Sequence, residues 1–319
     1  MPVAHLDDRA VVRIAGSDAS TLLQNVLTLD MAGVDRHGSG YGALLTPQGK
    51  ILWDFVLHRQ ADGYAADVRA DQAEAFAKRL SLYKLRAKVE IAVAPELAVF
   101  VEWSAAEGSS PAKRGRGTMR SMVEGADEAA ARDPHAHPSP SPSPQGGGER
   151  PGDPRLVELG SRWVAQANSV ETNASAEDWH AHRIALAIPE GGVDFLFGDT
   201  FPHDAAMDSL NGVAFEKGCY VGQEVVSRMR HRGTARRRIV ALQTNGPLPE
   251  PGAEITAAER PLGRLGSSAN GHAIGLVRLD RMRAALDQHL SIRAGSTEVA
   301  VSLPSWATYF WPETATAED

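Results

Sequence analysis

Cysteine is nearly absent from this chain: Cys219 is the single one in 319 residues. One thiol excludes an internal disulfide. It also excludes a four-cysteine iron–sulfur site or a cysteine-rich zinc site built within one chain, so no resident metal is expected. Aromatic residues are scarce, at 6%. No apolar run approaches the roughly 18 residues of a membrane-spanning helix, so no membrane partner is expected. Basic excess is missing too. A net charge of −7 and a pI near 5.9 argue against a general polyanion binder. Met1 to Ala10 holds His5, Asp7, Asp8 and Arg9 without an apolar centre, so no secretory signal is read there. A reducing cytoplasm is the expected compartment.

What is present is ample apolar content, 43% of the residues, in a chain too long for one ordinary core. In residues 1–104, Ala10 to Ile14 reads as a strand, and Asp18 as the cap of a helix over Ala19 to Leu27. Tyr41 to Thr46 and Ile51 to Arg59 read as a hairpin around Pro47-Gln48-Gly49-Lys50, and Tyr64 to Val68 as a further strand. Asp71 is expected to cap a helix running to Leu85, with Ala75, Phe76, Leu80 and Tyr83 inward. Strands follow at Lys88 to Val93 and Leu97 to Trp103. Strands with helices on one side predict an α+β part built on an antiparallel sheet.

Residues 105–154 read differently. Asp133 to Pro154 holds seven prolines and four glycines in 22 residues. Such a tract buries too little apolar surface to offset its ordering entropy and is expected to be a disordered insertion. His135 and His137 fall inside it and read as solvated.

Residues 155–235 form a second α+β part. Leu156 to Leu159 and Arg162 to Ala165 suggest a hairpin. Ser175-Ala176-Glu177-Asp178 opens a helix as a capping box, and His182 on it reads as packed rather than catalytic. Residues 236–319 hold short strands punctuated by Pro and Gly, with one helix from Leu279 to Ala285. This pattern predicts a small β-barrel.

Chemistry concentrates at Lys217-Gly218-Cys219-Tyr220-Val221-Gly222-Gln223-Glu224, just ahead of a helix expected over Gly222 to Met229. A helix N-terminus and an ammonium both stabilise negative charge on a nearby sulfur. Gly218 and Gly222 allow left-handed backbone or close approach of a ligand. The alternative is a structural cysteine in a capping turn. Six arginines follow in the eleven residues 228–238. Arginine forks hold carboxylates or phosphates, so a folate polyglutamate tail, RNA phosphate and an exposed basic hinge all remain open.

The octapeptide resembles the K-G-C-[FY]-x-G-Q-E signature of the YgfZ family. These are folate-binding proteins related to the aminomethyltransferase of the glycine cleavage system and linked to iron–sulfur cluster assembly or repair. Leu23-Gln24-Asn25-Val26-Leu27-Thr28-Leu29-Asp30 is similar to another stretch of that family. So is Arg183-Ile184-Ala185 leading to Ile188-Pro189-Glu190 and Asp194. The resemblance implies a three-part fold around a central pocket for tetrahydrofolate or a derivative. Asp54, Gly218, Tyr220, Gly222, Gln223, Glu224 and Arg228 would contact the folate. Cys219 would be the reactive group, supported by Lys217, and iron–sulfur client or assembly proteins would be the partners. Two departures weaken the transferase reading: Trp53-Asp54 stands where related transferases have paired aspartates, and Pro202-His203-Asp204 stands where the family has P-x-E. A folate-dependent aminomethyl or C1 transferase and a tRNA-modification accessory or RNA-binding protein are the alternatives.

Deleting Pro134 to Pro151 is expected to shift the melting temperature little and to leave folate affinity intact. A drop of many degrees in a thermal melt would show that the tract docks on the body.

Overall fold

The computed structural model describes residues 1–104, 150–233 and 235–312. The tract from 105 to 149 and the tail from 313 lie outside the described residues, and with them most of the expected insertion, including His135 and His137.

The first part runs β1 (Val3–His5), β2 (Arg9–Ala15), α1 (Ala19–Val26), α2 (Met31–His37), β3 (Ser39–Leu45), β4 (Ile51–Gln60), β5 (Gly63–Arg69), α3 (Ala73–Ser81), β6 (Glu90–Val93) and β7 (Leu97–Glu102). An antiparallel sheet in the order β3-β4-β5-β2-β6 is its frame. Period-two geometry sends neighbouring side chains to opposite faces, and here both faces are covered. Phe55 and Leu57 join the core with Leu23 and Phe76 of the helices. Val56, between them, joins a second core with Trp103, Trp179 and Met207.

Several local expectations change. Asp71 does not cap α3, because Arg69 holds its carboxylate; a 3-10 turn over Ala70–Gln72 leads into the helix instead. Its inward residues are Ala73, Phe76, Ala77 and Leu80, while Ala75 is exposed. Asp18 leaves the start of α1 uncapped and accepts from the Lys88 amide at 2.7 Å. The short helix α2 escaped the sequence reading; Asp30 caps it, and Gly38 at φ 83° ends it.

Beyond the tract, Leu156 to Leu159 is not a strand. It carries a 3-10 turn at Val157–Leu159, and β8 (Ser161–Gln166) pairs antiparallel with β7 instead. Gly160 makes this possible: at φ 84°, a Cβ there would sit 2.2 Å from the Glu102 carbonyl oxygen. The resulting sheet, β1-β7-β8, spans the expected boundary between the first two parts. The capping box opens α4 (Ala176–Ala185) as expected, with Ser175 and Asp178 bonding reciprocally. His182 stacks on Trp103 and packs on Trp179, as a packed histidine should. α5 (Gln223–Arg232) follows.

The last part is a seven-stranded antiparallel sheet. Its strands are β9 (Arg237–Gln243), β10 (Glu254–Ala257), β11 (Arg260–Ala269), β12 (His272–Arg278), β13 (Ile292–Ala294), β14 (Thr297–Glu298) and β15 (Ala300–Ser302), with α6 (Leu279–Asp287) between β12 and β13. The order β14-β13-β10-β11-β12-β9-β15 puts β14 and β15 at opposite edges. Only Val299 separates them in the chain, so the sheet must curl until its edges nearly meet, giving the expected barrel.

The expected insertion ends earlier than residue 154. Arg150 pairs with Glu102, the Pro151 carbonyl accepts from the Arg162 amide, and buried Asp153 pairs with Arg155. A clean deletion therefore has to stop before Arg150.

Buried charge ties the parts together. Asp67 on β5 accepts from Arg9 Nε of β2 and from Arg162 Nε of β8, both at 2.6 Å. Burial pushes the Asp67 carboxyl up, but Arg162 and Arg9 overcome it and hold it at about 2. A folded pKa below the unfolded value gives stability that is present above about pH 4 and lost as pH falls through about 2. Asp67→Asn is expected to cost about 3–5 kcal/mol at neutral pH, because two buried guanidinium groups lose their counter-charge. In urea titrations at several pH values, the parent should lose its advantage over the variant between about pH 4 and 2. An advantage that does not shrink would remove Asp67 from the acid response.

Candidate functional site

The turn after α1 receives the signature segment. Thr28 is fully buried; its Oγ1 donates to the Gly212 carbonyl at 2.7 Å and accepts from the Ala43 amide at 2.8 Å. The Thr28 carbonyl accepts from the Ala214 amide. Lys217 then reaches back, its Nζ donating to the carbonyls of Leu27 at 2.8 Å and Leu29 at 2.7 Å. Burial draws the Lys217 ammonium down to about 8, against the pull of Asp30.

The far side of the segment is fixed by two glycines. Gly222 caps α5 at φ 81°, and a Cβ on it would lie 2.6 Å from the Thr46 carbonyl oxygen. Gly49, at φ 80° in the β3–β4 turn, would place its Cβ 3.0 Å from that of Val225. Val226 inserts into the core behind them. Between the lysine and the second glycine stands Cys219, exposed.

The predicted site residues fall into two groups. Tyr220 is buried beneath the Lys217 ammonium, 5.3 Å from its ring centre, and burial pushes its hydroxyl up to about 12. Tyr220 and Gln223 line a cleft of about 570 Å³ with Phe215, Glu216, Ser227, Arg230 and His231. Glu224 and Arg228 pair with each other in solvent on α5. Gly218 has open space around its Cβ position and no positive φ, so only Gly222 uses the freedom expected of both.

Asp54 lies elsewhere, buried on β4 opposite Ala43. The described contacts do not join it to residues 217–224. Tyr41 donates to its Oδ2 at 2.9 Å, and burial raises its pKa against the opposing pull of Arg9. The turn at Glu190-Gly191-Gly192 presses on it, since a Cβ at Gly191 would be 2.3 Å from Asp54 Oδ1.

Glu190, quoted in the sequence only as part of the Ile188-Pro189-Glu190 stretch and given no role there, joins the candidate site. It is buried, and its pKa is held well below the usual carboxylate range: burial opposes this, but Arg183, His180, Arg9 and Arg155 prevail. Oδ1 of Asp54 and Oε1 of Glu190 are both buried without a hydrogen-bond donor among the described residues. Buried acceptors of this kind suit the N–H edge of a planar ligand. The P-E-G-G-x-D run was the available signal.

Asp8, His180 and Glu190 bring ligand-type atoms within 4.8 Å of one another. Arg183 Nε, however, donates to His180 Nδ1 at 2.9 Å and stands 3.5 Å from Glu190. The cluster neutralises Glu190 and leaves little room for a cation's charge.

The six arginines also divide. Arg237 turns to Asp204 and Asp199, and Arg238 to Asp208 and the His203 carbonyl. Arg228, Arg232 and Arg236 are exposed, and Arg230 lies over the Phe215 ring at 4.0 Å.

Comparison with known proteins covers nearly the whole chain. Residues 236–309 match the family model described as the CAF17 C-terminal beta-barrel domain. The human mitochondrial iron-sulfur cluster assembly factor IBA57 is 30% identical over 330 aligned residues, covering 96% of this chain and 84% of the relative. The Mus musculus protein of the same name is 27% identical, covering 97% and 85%. The glycine cleavage system aminomethyltransferase T from Bartonella henselae shares the fold, at a TM-score of 0.61 and 16% identity over 96% of this chain and 86% of that one. The cytoplasmic expectation is overturned, because these assembly-factor relatives are mitochondrial. A lone cysteine fits any reducing compartment, so composition could not discriminate between them.

Replacing Lys217 with Ala leaves the Leu27 and Leu29 carbonyls without their charged donor. The expected loss is about 1.5–3 kcal/mol in urea unfolding. Alkylation of Cys219 should also accelerate as the loop loosens. Unchanged stability would mean that the lysine does not hold the segment.

Proposed function

The chain belongs to the family of the iron–sulfur cluster assembly factor IBA57, and from that we propose that it acts in iron–sulfur cluster assembly, with Cys219 as the group that meets the cluster. The observation that carries this reading is the display of one exposed thiol on a segment fixed on both sides, by the Lys217 bonds and by the Gly222 contact. To bind iron, the Cys219 thiol gives up its proton and its sulfur takes one coordination position. One cysteine supplies one ligand, so the others come from a partner protein. The cluster is cargo in this scheme, not a resident cofactor.

We infer further that reduced folate binds in the interior. Support comes from the acceptor pair, Asp54 Oδ1 and Glu190 Oε1, which fits the N–H donors of a pterin. Tyr41 and Arg155 flank the pair: Tyr41 bonds to Asp54, and Arg155 stands 4.0 Å from Glu190 Oε1. The folate supplies a one-carbon carrier where transfer chemistry occurs. Asp54 would accept from the ring, and Tyr41 would keep the carboxylate oriented. The buried Asp54 is also what favours a folate-dependent C1 transferase as a second reading.

Two variants separate these claims. Cys219→Ala is expected to melt within about 1–2 °C of the parent, since exposed substitutions rarely exceed 0.5 kcal/mol. It should bind tetrahydrofolate normally in calorimetry and fail to rescue cells lacking the parent gene. Full rescue would refute the role of the thiol. Asp54→Asn should weaken tetrahydrofolate binding by about tenfold or more, equivalent to about 1.4 kcal/mol. An unchanged affinity would take Asp54 out of the folate site.

A further inference from the structure

The loop between α3 and β6 turns two apolar side chains outward. Leu82 is 63% exposed and Leu85 88%. A lone exposed leucine is ordinary on a protein surface. These two lie three residues apart in one loop, and the second carries a backbone cost. The Ala87 amide donates to the Lys84 carbonyl at 2.7 Å, closing a tight turn, and Leu85 takes its second position at φ 44°. Gly, Asn and Asp accept a positive φ in a turn; a leucine there is an outlier. The loop is not slack. Tyr83 and Ala87 pack on the core of the first part, and Val89 is buried within it. At the base, the Lys88 amide donates to Asp18 Oδ2 at 2.7 Å. Gly16 lets the backbones meet there, since a Cβ on it would sit 2.2 Å from the Lys88 carbonyl oxygen.

The same loop is cationic. Residues 75–89 hold Lys78, Arg79, Lys84, Arg86 and Lys88 and no carboxylate, with Glu74 and Glu90 just outside. Arg79 lies over the Tyr83 ring, and Lys88 acts on the Asp18 carboxylate. Lys78, Lys84 and Arg86 make no ion pair among the described residues. Lys78 stands one turn before Leu82 on the same helix face, because Leu82 keeps helical angles at the end of α3. Lys84 and Arg86 flank Leu85 directly. The helix dipole accounts for Lys78 and Arg79 in the last turn, but not for Lys84 or Arg86 beyond it. Two leucines are too small a patch for a specific protein interface, which takes roughly 800 Å² from each partner. A bilayer asks for no matching shape: its boundary region accepts leucine side chains, and its anionic headgroups attract clustered Lys and Arg. On a chain of net charge −7, an anionic surface repels the body and attracts this loop, which orients the molecule. No described helix is long and apolar enough to cross a membrane, so the contact is confined to the interface. The expectation of no membrane partner rested on the lack of a spanning segment, which such contact does not need.

We propose that residues 82–88, with Lys78, dock this protein peripherally on an anionic phospholipid surface. Leu82 and Leu85 enter the headgroup boundary, and Lys78, Lys84 and Arg86 meet the phosphates. Glycine or asparagine would suit the turn at position 85 better, but neither has an apolar side chain to insert. The contact uses neither Cys219 nor Asp54 and does not rest on the cluster-assembly reading.

Flotation of the full chain with vesicles tests this. One set of vesicles is phosphatidylcholine alone; the other is an equal mixture of phosphatidylcholine and phosphatidylglycerol. At low salt the chain should bind the mixed vesicles about tenfold more tightly than the neutral ones, and the preference should fade as salt rises. Lys78→Glu, Lys84→Glu and Arg86→Glu together should abolish it, while Lys78→Arg, Lys84→Arg and Arg86→Lys together should keep it. Leu85→Gly separates docking from folding. Glycine relieves the positive φ, so the melting temperature should hold or rise. Affinity for the mixed vesicles should nevertheless fall about fivefold or more, because the inserted side chain is gone. Insertion itself is read with Leu85→Cys in a Cys219→Ala background, labelled with a polarity-sensitive dye whose emission should shift to the blue on mixed vesicles. Equal binding to both vesicles, affinity unmoved by Leu85→Gly or by the triple Glu variant, or a dye that stays in water would overturn the proposal. So would protection of amides 82–88 from hydrogen exchange by soluble polyglutamate without any vesicle binding, which would make an acidic protein the occupant.

Discussion

Asp67 lies fully buried between two guanidinium groups from different sheets, so parting those sheets would leave Arg162 buried without its carboxylate partner. Asp194 does the same at the next joint. It accepts from Arg183 of α4, from the Glu190 amide, and from the amide and hydroxyl of Ser267 on β11. Gly266 admits this approach, since a Cβ there would meet Asp194 Oδ1 at 2.4 Å. Buried ion pairs add little over well-packed apolar residues, yet breaking one is costly. Their effect here is to penalise alternative arrangements of the parts. They also hold the turn at Glu190-Gly191-Gly192 against Asp54.

Two chemically distinct places result. The interior offers carboxylate acceptors among arginines; the exterior offers one thiol beside a basic helix. Tyr41 backs both. Its hydroxyl bonds to Asp54, and a Cβ at Gly212, the residue whose carbonyl binds Thr28, would lie 2.9 Å from the Tyr41 ring. The strand that orients the interior carboxylate therefore also supports the approach to the signature segment.

Features legible in the sequence were those set by near neighbours. The β3–β4 hairpin, the Ser175–Asp178 box and the rhythm of barrel strands each depend on a few consecutive residues. Pairing of β8 with β7 was not legible, because a strand's partner across a long intervening tract leaves no local trace. The burial of Asp54 was hidden for a related reason: β4 is covered on both faces, so its polar residues need not be solvated. Asp71 and Asp18 had the right type for caps, but Arg69 and the Lys88 amide compete for them. The arginine run looked uniform until Asp199, Asp204 and Asp208 arrived from a distant segment to claim two of its members.

Scarcity of cysteine takes on meaning in this setting. A second thiol near Cys219 would permit an internal disulfide or a site that keeps its metal. With one, any iron–sulfur cluster held here remains incompletely ligated until another protein contributes. Transfer then depends on how often a partner arrives correctly oriented. A fixed loop lowers the ordering cost on docking. On the proposed reading, Lys217 and Gly222 act on that step by fixing the loop, though neither needs to touch the cluster.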